Sequence, residues 1–188
     1  MANIALFHSV YGLRPAVLAD AERLREAGHT VITPDLFGGR IADTVDEGFA
    51  ISKEIGTATV MERARAAVAD LPPSAVLAGY SYGCGVAGDL LAERPDAAGL
   101  LLVSGPGGEP GSVRPGLPIQ VHVADPDEYD SPADMAAWRD AMVEAGAEVA
   151  MFGYPGVGHL FTDPDLPDYD RTAAELTWER SVRFLSGL

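Results

Sequence analysis

A single α/β domain, with a mainly parallel sheet of about six strands, helices on both faces and no cap domain, is the fold class this chain predicts. Three observations carry that expectation. Short apolar runs alternate with helix-compatible stretches, the pattern of parallel strands buried on both faces. The length of 188 residues suits one domain, 1–188, and 47% hydrophobic residues are enough to fill its core. Glycine-rich loops follow two of the apolar runs, where strands would end at the open edge of the sheet.

Taken in order, strand 4–8 opens the chain and helix 14–27 follows, closed by Gly28, which suits the left-handed conformation of a helix end. Strand 30–33 comes next, then one long helix, 45–69, with Thr44 and Glu47 at capping-box spacing. Strand 75–78 leads into helix 83–94. Strand 99–104 leads into Gly105-Pro106-Gly107-Gly108-Glu109-Pro110-Gly111, too rich in glycine and proline for regular structure. That loop follows a strand's carboxyl end, so it is expected to border a ligand site. Strand 119–123, helix 132–145 from Ser131-Pro132 to Gly146, strand 148–153 and helix 172–185 complete the set.

Composition narrows the partners. A formal net charge of −15 and a pI near 4.4 argue against nucleic acid and anionic membrane surfaces, which such a protein repels. No apolar run is long enough to span a bilayer, and the N-terminus enters Asn3-Ile4-Ala5-Leu6-Phe7 without a charged leader, so a cytoplasmic location is expected. The one cysteine, Cys84, excludes an internal disulfide and a cysteine-built metal site, and helix packing is its expected role.

The segment Gly79-Tyr80-Ser81-Tyr82-Gly83 lies where an apolar strand turns into a helix. It has the form of a nucleophile elbow, a turn so tight that side chains two residues before or after the serine would collide with backbone. A serine hydroxyl is a weak nucleophile at neutral pH and requires a histidine base oriented by a carboxylate. Of the four histidines, His29 falls after a helix and reads as a solvated cap residue. His122 sits among valines and reads as a core residue, while His8 ends the first strand and is expected to line a pocket. His159 stands in a glycine-rich loop after the last strand, able to reach over the sheet edge, and is the expected base. Asp125, Asp127, Glu128 and Asp130 all follow the strand that should supply the acid; Asp127 is preferred and Asp125 is next. Backbone N–H groups of Tyr82, after the serine, and of Val10, after the first strand, are expected to form the oxyanion hole.

In these residues the chain resembles the dienelactone hydrolase family of α/β-hydrolases. The resemblance runs through Ala5 to Leu13, Pro34-Asp35-Leu36-Phe37-Gly38-Gly39, the elbow, His122-Val123-Ala124-Asp125-Pro126-Asp127 and Tyr154-Pro155-Gly156-Val157-Gly158-His159-Leu160-Phe161. It implies Asp127 as the acid and the amides of Val10 and Tyr82 as the oxyanion donors. Well-known members of that family carry a cysteine nucleophile helped by a glutamate; here the matching positions hold Ser81 and Ser9, which suits ordinary esters better than dienelactone. The expected function is hydrolysis of small carboxylic esters or lactones through an acyl-enzyme on Ser81, His159 and Asp127, with no metal or organic cofactor. An acyltransferase or peptidase with the same triad, or a binding protein on this fold, are the alternatives. The pocket is expected to be shallow and shaped by loops, with Tyr11, Phe37, Tyr82 and Phe161 as lining residues. Nothing distinguishes Arg14, Arg40 and Arg114 from solvated surface arginines, so none is placed in the site as a carboxylate binder, and the oligomeric state is left open.

Overall fold

The computed structural model describes residues 1–188. Its strands are β1 (Asn3–Phe7), β2 (Thr30–Ile32), β3 (Val76–Tyr80), β4 (Leu100–Val103), β5 (Pro118–Asp125) and β6 (Glu148–Pro155). They form one sheet in the order β2-β1-β3-β4-β5-β6, and every neighbouring pair is parallel. The helices are α1 (Pro15–Glu26), α2 (Val45–Ile55), α3 (Thr57–Val68), α4 (Tyr82–Leu91), α5 (Pro132–Glu144) and α6 (Arg171–Ser186).

Side chains alternate across each strand, and this period of two divides the core between two faces. On one face Ala5, Phe7, Leu77, Leu100, Leu102, Ile119 and Val121 pack against α2, α3, α4 and α5. On the other, Ile4, Leu6, Val76, Ala78, Leu101 and Val103 meet Val17, Ala21 and Leu24 of α1 and Trp178 and Leu185 of α6. The strands are therefore apolar on both sides, which explains why they read as unbroken hydrophobic runs.

The chain leaves β1 toward β2 at one edge and then crosses back to β3 on the other side of β1. That reversal opens a crevice at the carboxyl ends of β1 and β3, where the loops after both strands meet.

Two elements depart from the sequence expectation. The helix expected over 45–69 is two helices, because Gly56 between them takes φ 84° and ψ 140°, outside helical space. Thr44 does cap α2, accepting from the Glu47 N–H at 3.2 Å, but the Glu47 carboxylate reaches the Asp43 N–H at 2.9 Å rather than that of Thr44. His29, expected as a solvated cap residue, is 7% exposed: its Nδ1 accepts from the Ala2 N–H, which draws it under the start of β1.

One buried carboxyl makes stability depend on pH. Burial raises Asp20 on α1 to about 7, against the hydrogen bond from the Tyr80 hydroxyl at 2.7 Å and the charge of Arg23, which lower it. The folded protein thus holds this proton more tightly than the unfolded chain does, so ionisation penalises the fold progressively as pH rises from near 4 to 7. Asp20→Asn, which keeps an acceptor for Tyr80, is expected to raise Tm at pH 8 by several degrees. The gain should vanish near pH 4, as thermal melts at the two pH values would show.

Candidate active site

Ser81 sits at the apex between β3 and α4 with φ 47° and ψ −109°, a conformation that non-glycine residues rarely adopt. The turn survives because Gly79 and Gly83 flank it. A Cβ on Gly79 would run into the Gly83 carbonyl, and one on Gly83 would run into the carbonyls of Phe7 and His8. The Ser81 N–H donates to the Val103 carbonyl at 2.8 Å, and its own carbonyl accepts from the Cys84 N–H at 2.8 Å, so the strained turn is pinned on both sides.

The loop after β6 brings His159 over this apex. Its Nε2 lies 2.7 Å from Ser81 Oγ, and its Nδ1 lies 2.7 and 2.9 Å from the two oxygens of Asp127, beyond the end of β5. A proton on Nδ1 donated to the carboxylate leaves the Nε2 lone pair to accept from the serine hydroxyl. The side chains of His159 and Asp127 are 7% and 1% exposed. Burial alone would raise the Asp127 carboxyl, but the hydrogen bonds from His159 and from the N–H groups of Tyr129 and Asp130 outweigh it and hold it below the ordinary carboxylate value. Asp125, the alternative acid, is exposed at the end of β5 and takes no part in this chain of contacts.

Around the apex, the N–H of Val10 donates to no group within the protein, and Tyr82 is the first residue of α4, so its N–H has no intrahelical acceptor. The Val10 loop is held by Tyr11 N–H to Ser9 Oγ at 3.3 Å and by Gly48 of α2, where any Cβ would strike the Val10 carbonyl.

Several expected lining residues are elsewhere. Phe37 is 1% exposed and packs edge-on against His8 and Tyr82, beneath the site rather than in it. Phe161 is fully buried against Tyr154, where it anchors the His159 loop. His8 does not line the cavity either: it is fully buried, its Nε2 accepts from the Leu36 N–H and its Nδ1–H donates to the Ser9 carbonyl. His122 is a core residue bonded to Tyr154 and Gln120, held neutral by burial and by Arg180, which lower it to about 3. Cys84 is fully buried, donates to the carbonyls of Gly79 and Val103, and has its thiol pushed up by burial, which rules it out as a thiolate nucleophile. Arg14 pairs with Asp163, Arg40 with Glu54, and Arg114 donates to the carbonyls of Ala97 and Pro115.

A cavity of about 140 Å³ opens directly on Ser81 and His159, and Tyr11 lines it. Its other walls include Val45 and Phe49 of α2, the Ser104-Gly105-Pro106 segment, and Tyr129 and Asp130. The walls are thus not loops alone. Val45 and Phe49 stand one helical turn apart, on one face of α2, a spacing that marks α2 as a wall only once the crevice it faces is known.

A model of the dienelactone hydrolase family matches residues 2–188. No curated protein matches the sequence. Among solved structures, a dienelactone hydrolase-like promiscuous phosphotriesterase, P91, from metagenomic libraries superposes with a TM-score of 0.83 at 18% identity, over 100% of this chain and 87% of that one. A candidate dienelactone hydrolase from Klebsiella pneumoniae gives 0.80 at 15% identity, over 100% and 88%. Esterase 2 of Thermogutta terrifontis, phosphonylated by cyclosarin, gives 0.73 at 16% identity, over 99% and 82%. The chain has the α/β-hydrolase fold of these neighbours, and no helix is long and apolar enough to cross a membrane.

Proposed function

We propose that this chain, which belongs to the dienelactone hydrolase family and is a hydrolase, cleaves small carboxylic esters or lactones through an acyl-enzyme on Ser81. The observation that carries this reading is the unbroken contact chain from Ser81 Oγ through His159 to Asp127 at a strained, solvent-reachable turn. Ser81 Oγ attacks the carbonyl carbon while its proton passes to His159 Nε2, and Asp127 stabilises the imidazolium. The carbonyl electron pair moves to oxygen, toward the N–H groups of Val10 and Tyr82; the positive end of α4 favours that charge. As the tetrahedral adduct collapses, His159 returns the proton to the departing alkoxide. Water then repeats the sequence on the acyl-serine, releasing the acid and restoring the hydroxyl.

Mixed with 4-nitrophenyl acetate, the protein should release one equivalent of nitrophenol in a rapid burst if deacylation is the slower step, followed by steady turnover. Absence of turnover on a panel of short-chain esters and lactones would overturn the proposal.

A further inference from the structure

Two cavities meet at Ser81, and the chemistry just described gives them different occupants. The first, on the His159 side, is the cavity of about 140 Å³ that includes Tyr11, Phe49, Tyr129 and Asp130. The second, of about 360 Å³, runs from the other side of Ser81 past Tyr82 over Val60, Met61 and Val86, and His159 does not line it. They share Ser81 and Pro106. In the tetrahedral adduct the leaving oxygen must lie within reach of His159 Nε2 to receive its proton, whereas the acyl chain has no such requirement. The alcohol therefore belongs in the first cavity and the acyl chain in the second.

Each cavity carries one carboxylate, Asp130 in the alcohol cavity and Asp89 in the acyl cavity, and no lysine or arginine lines either. Arg14 stacks over the Tyr11 ring at 5.3 Å but is committed to Asp163 and Asp165 and is not a wall residue. Asp130 is a wall residue with no cationic partner: its N–H donates to Asp127 Oδ1, but its carboxylate lies against Gly105, beside Ser81, and makes no hydrogen bond to Ser81, His159 or Asp127. Ser104, at φ 65°, adds a fully buried hydroxyl with no hydrogen-bond partner within the protein. Phe49 and Tyr129, both 53% exposed, are among the few large apolar side chains left in water, and both lie at this mouth. Aromatic faces around an unpaired carboxylate attract cations and repel anions.

We infer that the His159-side cavity receives the leaving alcohol and selects one bearing a positively charged amine or ammonium group over one bearing a carboxylate, with Asp130 as the discriminating residue. This rests on the reading of Ser81 as the nucleophile. The test uses three esters with one acyl group and different alcohols: a choline ester, its uncharged 3,3-dimethylbutyl isostere and a carboxymethyl ester, compared by kcat/KM at pH 8 and low ionic strength. The expected order is choline, dimethylbutyl, carboxymethyl, with a total spread of about 100-fold that falls below about tenfold in Asp130→Asn. The readout is the ratio, so a uniform loss of activity in the variant does not imitate the effect. A fourth ester, with its carboxylate on the acyl chain instead, should show a penalty that Asp130→Asn leaves unchanged within about threefold. Equal rates for all alcohols, a preference for the carboxylate, a spread unaltered by Asp130→Asn, or an Asp130 effect confined to the acyl-charged ester would each overturn the inference. If none of these four esters is turned over while an uncharged short-chain ester still is and a neutral fluorophosphonate still labels Ser81, the selectivity inference alone falls. If no ester or lactone is turned over, or Ser81 is not labelled, the proposed function falls with it.

Discussion

Ser81→Ala is expected to lower kcat/KM for a short-chain ester on the order of 10⁵-fold while leaving thermal stability within a few degrees of wild type. The rate effect is large because the hydroxyl is the only nucleophile at the apex. Cys84, the other candidate by residue type, is sealed under the elbow with its proton committed to carbonyl oxygens and its thiol pushed up by burial. The stability effect is small because the turn is held by backbone bonds from Ser81 to Val103 and Cys84, which an alanine retains, and by the absence of side chains at Gly79 and Gly83. His159→Ala should cost nearly as much, and the double variant little more than either single one, since the two groups act as one unit. Rates from the purified variants, paired with melting curves, check both halves. A variant that keeps a tenth of wild-type activity would contradict the assignment.

The second large effect concerns the acid. Asp127→Asn should reduce kcat about 10³ to 10⁴-fold through the tautomer of the histidine, with the geometry preserved. An asparagine amide facing Nδ1 can donate to it, which places the ring proton on Nε2 and turns the base into a donor facing the Ser81 hydroxyl. The carboxylate accepts the Nδ1–H at present and is also bonded by the N–H groups of Tyr129 and Asp130, so it is fixed as well as charged. Asp125→Asn, at an exposed position two residues away, should stay within about threefold of wild type. Steady-state assays of the two variants discriminate; the reverse order would move the acid to Asp125.

The sheet was legible because each strand is an apolar run buried on both faces, and the chemistry because it lies at strand ends, where glycine-rich segments announce the turns at Ser81 and His159. The same local signals misled where tertiary contacts decide. Gly56 breaks a stretch that otherwise reads as continuous helix, and no pattern separates a tolerated helical glycine from one at φ 84°. Phe37 and Phe161 flank segments of the site in sequence, yet the backbone turns their rings into the core. His29 looked solvated from its position after a helix, but its ring takes the Ala2 N–H. In the sequence Asp130 stands only among the four possible acids after β5; that it faces the cavity beside Ser81 follows from the path of the loop between β5 and α5, which nothing local specifies.

The central claim is that Ser81 is the nucleophile, and covalent capture tests it most directly. Wild-type protein treated with a fluorophosphonate should gain one adduct by intact mass, localised to Ser81 by peptide mapping, and Ser81→Ala should gain none under the same conditions. Equal labelling of both proteins, or an adduct on any other residue, would contradict the account.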